Sequence, residues 1–203
     1  MKAFILLSGC VDSMACINFH FQMGYEIECF FCDYGQPALI PEKQAATMIS
    51  DRYNTTLHIL KAKDLLKVPE SGEICGRNAL LVWMVFCKAG LGNYKIILGI
   101  HDGTGYSDCS PQFVEATNRV IDCYANGTVM LEAPFLNWHK AEIAEYCKDN
   151  QLPYELTYSC ETGNTPSCKL RWVRISVDVL HQLQGLVGYP TGSFCCRVCI
   201  ACG

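Results

Sequence analysis

Five short apolar runs, each followed by a stretch of helical spacing, constrain this chain more than any other feature. Ala3–Leu7, Glu26–Cys32, Thr56–Leu60, Lys95–Gly99 and Val129–Ala133 have the length of buried strands, and Gly, Asn or charged residues bound them. Asp12–Met23, Pro41–Tyr53, Arg77–Ala89, Pro111–Cys123 and Trp138–Asn150 read as helices, with Pro41 and Pro111 placed for a first helical turn. Strands that are apolar on both faces belong in a parallel sheet covered by helices, and a βα alternation supplies those covers. The expected fold is therefore α/β: a five-stranded parallel sheet with helices on both faces. We expect one domain over residues 1–203, with the α/β core in 1–150 and an extension in 151–203, where the alternation stops.

Open sheets of this kind bind ligands beyond the carboxyl ends of their strands, which brings the loops at Ser8–Ser13, Asp33–Gln36 and Ile100–Asp108 to one crevice. A formal net charge of −4 gives no overall attraction to nucleic acid or to an anionic membrane, so a small-molecule substrate is the better expectation. Only Ala3–Leu7 separate Met1 and Lys2 from Ser8 and Gly9, too few apolar residues for a signal-peptide core or a membrane span. A cytoplasmic protein is expected. Most of the 15 cysteines fit that compartment, since Cys16, Cys29, Cys32, Cys87 and Cys147 stand singly in apolar segments, where a reduced thiol acts as a small hydrophobe.

Ser8-Gly9-Cys10-Val11-Asp12-Ser13 lies between the first strand and the first helix. Free backbone N–H groups and the helix dipole favour an anion there, and the hydroxyls of Ser8 and Ser13 can add hydrogen bonds to phosphate oxygens. Taken alone, the same hexapeptide also suits an ordinary capped helix start. Arg77 follows a glycine and precedes a helical stretch, where its guanidinium can pair bidentately with a carboxylate. Asn78 reads more naturally as an N-cap. His101 and His139 lie near strand ends without an identifiable carboxylate partner and are given no catalytic role.

The hexapeptide resembles the SGGxDS loop of the N-type ATP pyrophosphatases, the PP-loop superfamily with an adenine nucleotide alpha hydrolase-like fold. Asp33-Tyr34-Gly35-Gln36 resembles a signature of one branch, the 7-cyano-7-deazaguanine synthase family. That resemblance continues in order through Gly76-Arg77-Asn78, Gly105-Tyr106-Ser107-Asp108-Cys109 with Pro111-Gln112-Phe113, Ala133-Pro134-Phe135 with Lys140-Ala141-Glu142-Ile143, and Tyr158-Ser159-Cys160, covering about residues 3–168. Several short motifs arriving in one order are far more specific than any one of them.

The resemblance implies a ligase that converts 7-carboxy-7-deazaguanine and ammonia to the nitrile 7-cyano-7-deazaguanine with ATP and Mg²⁺, within the pathway to queuosine. It places ATP on Leu7, Ser8, Gly9, Cys10, Val11, Asp12 and Ser13, with Gly35 and Gln36 beside them, and gives Asp12 and Lys140 catalytic roles. Lys140 would contact phosphate or the activated intermediate. A guanine-like base offers N–H donors, for which Asp108 is the first expected acceptor and Glu115 the second, with Tyr106 stacking on the base or covering the crevice. A homodimer is compatible with this reading, and the oligomeric state is left open.

Cys196, Cys199 and Cys202 form a C-x-x-C-x-x-C series, a metal-ligand spacing. The family carries a structural Zn²⁺ with a fourth ligand in the Tyr-Ser-Cys motif, which assigns Cys160 here. Cys168 competes for that set, because it stands where the first cysteine of the triplet is expected, and a helical stretch from about Leu170 to Leu186 intervenes. A further departure is Cys10, which replaces the second loop glycine and matters if that position takes a positive φ. Two other readings therefore stand beside the synthase: another adenylating PP-loop enzyme, including an RNA-modifying one, and a non-catalytic relative that binds nucleotide or a 7-deazaguanine.

Overall fold

The computed structural model describes residues 1–68, 73–101 and 105–159. Strands β1 (Lys2–Leu6), β2 (Glu26–Asp33), β3 (Thr56–Lys61), β4 (Tyr94–Ile97) and β5 (Val129–Glu132) form one sheet in the order β3-β2-β1-β4-β5. Every pairing is parallel, with Ala3 opposite Ile27 on one side of β1 and Lys95 on the other. Helices α1 (Val11–Gln22), α2 (Leu39–Arg52), α3 (Arg77–Ala89), α4 (Pro111–Ala125) and α5 (Lys140–Asp149) follow the strands in turn, and the expected alternation is what the chain forms.

The core has two layers, split by the alternation of side chains along the strands. Ala3, Ile5 and Leu7 of the first strand segment pack with Met14, Ile17, Ile49, Ile143 and Cys147, which puts α1, α2 and α5 on one face. Phe4 and Leu6 point the other way, onto Val82, Val85, Phe86, Ile121 and Ala125 of α3 and α4. Strand order reverses between β1 and β4, the place at the carboxyl edge where open sheets of this kind bind their ligands. No helix among the described residues is long and apolar enough to cross a membrane.

Element ends differ from expectation for local reasons. The second helix starts at Leu39, so Pro41 is its third residue, still in the turn whose N–H groups have no intrahelical partner. The fourth helix runs two residues further, to Ala125, and stops at Asn126 in the left-handed region (φ 46°). Asn78 is not the N-cap of the third helix. That place belongs to Gly76, whose φ of 73° turns the chain into Arg77, and Asn78 is buried inside the first turn. The expected zinc ligands Cys160, Cys196, Cys199 and Cys202, and their competitor Cys168, lie outside the described residues.

Candidate active site at the carboxyl edge of the sheet

The loop from Ser8 to Ser13 turns sharply out of β1, and Gly9 makes the turn with φ 87°. A Cβ on Gly9 would lie 2.6 Å from the Glu42 carbonyl oxygen and 2.9 Å from Ala45 Cβ, so only glycine lets the loop press onto α2. Gly99, beyond β4, has the same function from the opposite side, since a Cβ there would stand 3.1 Å from the Ser13 backbone nitrogen. Cys10 has φ −80° and ψ 169°, ordinary extended backbone, and it is the N-cap of α1. The family's second glycine is therefore not needed for backbone reasons.

Polar groups gather at this helix start. The Ser8 hydroxyl donates to Cys10 Sγ at 3.0 Å and lies 3.3 Å from the Ser13 hydroxyl, which donates to the Cys10 carbonyl at 3.0 Å. The Cys10 N–H reaches only as far as Ser8 Oγ, at 3.4 Å, and the Ser13 N–H approaches Cys10 Sγ at 3.5 Å. Long, deformable contacts of this kind leave donors available to a phosphate. Val11 is buried below them in the core, while Leu7 leads into the loop with its N–H bonded to the Phe30 carbonyl at 2.9 Å.

Asp12 is 1% exposed, and its Oδ2 pairs with Lys140 Nζ at the first turn of α5. Among the described residues its buried Oδ1 has no hydrogen-bond partner. A carboxylate buried this way is costly unless something cationic completes it. Burial pushes the nearby Cys147 thiol up to about 12, with the Asp12 charge adding to the effect, and raises Cys16 well above the usual thiol range for the same two reasons. Both thiols stay neutral and act as packing.

On the other side of the crevice, Arg77 is half-buried between three partners. Burial lowers its pKa, but the Tyr34 charge and hydrogen bond and the Asp108 carboxylate outweigh it, so the guanidinium is held still more firmly protonated than usual. Arg77 Nε also donates to Asn78 Oδ1 at 3.3 Å. Asp108 is 6% exposed; its Oδ2 accepts the Asn78 N–H at 3.1 Å, and its carbonyl accepts from Asn78 Nδ2 at 3.2 Å. Asp108 thus caps the N–H end of α3 from another loop. Tyr106 lies half-buried against the apolar cluster of Leu98, Ile100 and Cys109.

Three expected residues have structural partners of their own. Glu115 stands exposed on α4, 3.5 Å from Arg119. Gly35 (φ 83°) and Gln36 build the loop after β2: Gln36 Nε2 donates to the Cys32 carbonyl at 3.1 Å and to Glu42 Oε2 at 3.0 Å, while its Oε1 accepts the Tyr34 N–H at 3.0 Å. His139 is the N-cap of α5, with its N–H on Glu142 Oε2 at 2.6 Å.

Residues 2–74 and 67–172 match the family of the queuosine biosynthesis protein QueC. The chain is 31% identical over 193 residues to the 7-cyano-7-deazaguanine synthase 2 of Desulfitobacterium hafniense (strain Y51), covering 82% of each chain. It is 31% identical over 197 residues to the 7-cyano-7-deazaguanine synthase of Methanospirillum hungatei JF-1, covering 83% of this chain and 89% of that one.

The chain belongs to the QueC family.

Three residues of this QueC chain carry site contacts that motif reading left without a role. Tyr34 was quoted inside its motif, and its phenol turns out to face Arg77. Glu73 accepts from the Ser107 N–H at 3.1 Å and from its hydroxyl, closing the segment before α3 onto the loop before α4; nothing in its surroundings in the sequence marks it. Tyr158 sits beside the Ser8–Ser13 loop, where its backbone N–H donates to the Gly9 carbonyl at 2.9 Å. Of the two metals expected for the family, Mg²⁺ takes hard oxygen donors, and Asp12 Oδ1, buried without a hydrogen-bond partner among the described residues, is a donor of that kind. Among the described residues, no group of three His, Cys, Asp or Glu is arranged to hold a metal ion.

Proposed function

We propose that this QueC chain joins ammonia to 7-carboxy-7-deazaguanine in an ATP-dependent reaction that ends in 7-cyano-7-deazaguanine, working in the cytoplasm. The supporting observation is that one short loop serves both halves of the crevice. Residues Tyr34 to Gln36 hold Arg77 through the Tyr34 phenol and reach α2 through Gln36 and Glu42, the residue whose carbonyl lies against Gly9 of the phosphate loop. An anion site and a cation suited to a carboxylate are thereby fixed relative to each other, which adenylation of an acid requires.

In this reading Arg77 orients the substrate carboxylate, and one carboxylate oxygen attacks the α-phosphorus of ATP, releasing pyrophosphate. Ammonia then attacks the activated carbon and expels AMP, giving the primary amide after loss of a proton. A second ATP activates the amide oxygen in the same way, and loss of AMP and two protons leaves the nitrile. Backbone N–H groups of Gly9 to Ser13 with the hydroxyls of Ser8 and Ser13 would hold the phosphates, and Lys140, positioned by Asp12, would offset charge developing on pyrophosphate. Mg²⁺ held by Asp12 would add further charge neutralisation at the phosphates. Asp108, which uses one oxygen on Asn78, keeps acceptor capacity for the N–H edge of the base, and Tyr106 would cover it.

Cys10 and the short stretch from Lys63 to Gly76 are the two grounds for a non-catalytic relative, and the ordinary φ of Cys10 takes away the backbone part of the first. Mass spectrometry of a reaction with purified protein, ATP, Mg²⁺, ammonium and 7-carboxy-7-deazaguanine tests the proposal. Nitrile is the expected product. Amide alone would indicate a one-step amide synthetase, and substrate binding without turnover would establish the non-catalytic reading.

A further inference from the structure

The phosphate loop touches one segment that the reaction scheme does not use. Residues Tyr154–Leu156 form a single 3₁₀ turn after α5, and the chain then runs back to the loop, where the Tyr158 N–H donates to the Gly9 carbonyl at 2.9 Å. Tyr158 is 6% exposed, and its side chain is buried with Ala38 and Ala45 at the start and middle of α2. Ala45 is also one of the atoms that crowds Gly9, its Cβ lying 2.9 Å from where a Gly9 Cβ would stand. Gly9 is therefore gripped twice: α2 presses on its Cα side, and Tyr158 ties its carbonyl.

That carbonyl belongs to the peptide whose N–H is that of Cys10. The peptide is trans, so its C=O and N–H point in opposite directions. Fixing the Gly9 oxygen on Tyr158 fixes the Cys10 N–H on the opposite side of the peptide, where among the described residues it has the long 3.4 Å approach to Ser8 Oγ. Turning that peptide over would carry Cys10 from φ −80° to a positive φ unfavourable for a side chain, so the Tyr158 hydrogen bond and the Cys10 backbone preference hold the same orientation.

We infer that Tyr158 is a positioning residue for nucleotide binding: its ring anchors it on α2, and its backbone N–H holds the Gly9–Cys10 peptide with the N–H facing the phosphates. This rests on the reading of Ser8–Ser13 as the phosphate site. It also makes the segment after α5 a working part of the ATP site, where otherwise it would be only a connection to the C-terminal residues.

The test compares the full-length wild type with Tyr158→Phe and Tyr158→Ala, measuring ATP affinity by calorimetry, KM for ATP and for 7-carboxy-7-deazaguanine, and thermal unfolding. Tyr158→Ala is expected to weaken ATP binding roughly threefold to tenfold, the effect of losing about one hydrogen bond, while KM for the carboxylate changes less than about twofold. Tyr158→Phe keeps ring and backbone and should restore wild-type ATP affinity. ATP affinity unchanged in Tyr158→Ala overturns the inference, as does an equal weakening of both substrates alongside a fall in Tm. Wild-type protein that binds no ATP at all would instead overturn the phosphate-loop reading beneath it.

Discussion

The two halves of the crevice lie at the same edge of the same sheet, yet they are built from different materials. The Ser8–Ser13 loop, the proposed phosphate site, is shaped by main chain: Gly9 between the Glu42 carbonyl and the Tyr158 N–H, Gly99 against Ser13, and a helix start that supplies N–H groups. The Arg77 corner is shaped by side chains: Tyr34 and Asn78 on the guanidinium, and Asp108 capping α3 from a loop thirty residues away in sequence. A main-chain cradle tolerates a changed side chain provided the backbone conformation survives, whereas a side-chain network fails when any one partner is deleted. The first should be brittle at glycine and at the one buried ion pair it contains, Asp12 with Lys140, the second at every member.

Asp12→Ala gives the largest expected effect, because it removes the side chain that holds Lys140 and offers an oxygen to a cation. Losing one preorganised charge at a phosphoryl site costs on the order of 10²- to 10³-fold in kcat, with the circular dichroism spectrum retained. Activity equal to wild type in a steady-state assay would end the assignment of this loop to ATP. Gly9→Ala comes next and sharpens the contrast within the loop. The new methyl meets Glu42 and Ala45, and a non-glycine residue at φ 87° carries strain of about 1–3 kcal/mol. Each kcal/mol lowers Tm by roughly 2–4 °C in a chain of this size, and ATP affinity should fall with it. A variant with wild-type Tm would show that the loop is looser than its packing implies.

Main-chain features of the site were the ones legible in the sequence. The order of strands and helices follows from apolar spacing, and α3 has the bounds that spacing gave it, Arg77–Ala89. The hexapeptide at 8–13 announces a turn between strand and helix, and that turn is where the chain makes it. The side-chain network was less visible, because its members come from separate segments and only the fold decides which pair. Asn78 has the composition of an N-cap, but Gly76 starts the helix, and the amide goes to Asp108 and Cys109 instead. Glu115 has the charge expected of a base-recognising acid, but it falls on the outer face of α4 beside Arg119. Tyr34 and Glu73 make contacts across loops that no local pattern encodes.

Tyr34→Phe tests the side-chain half. It deletes only the phenol oxygen facing Arg77, so the guanidinium keeps Asn78 and Asp108 but loses one support. A net hydrogen bond of about 0.5–1.5 kcal/mol predicts a twofold to tenfold rise in KM for 7-carboxy-7-deazaguanine, with KM for ATP unchanged. An equal rise for both substrates would mean that the Tyr34 phenol itself, and not only Gln36 and Glu42, holds the Ser8–Ser13 loop, and that the two halves share more than the chain between them.

Cys10→Gly should have the smallest effect of all, and it bears most directly on the contrast. The variant restores the family's second glycine, so a loop that needed positive φ at this position would gain activity. Cys10 has φ −80°, which glycine and cysteine both adopt, and the change deletes only the sulfur that accepts weakly from Ser13 and Ser8. Replacing a capping side chain by glycine costs only a few tenths of a kcal/mol, so kcat/KM for ATP should stay within about twofold of wild type. A tenfold gain would mean that the thiol occupies space a phosphate wants, making the cradle sensitive to side chains after all; a tenfold loss would make Cys10 a contact in its own right. Either result would erase the distinction between the two halves at its clearest point, because Cys10 and Gly9 are adjacent residues for which the structure assigns opposite tolerances.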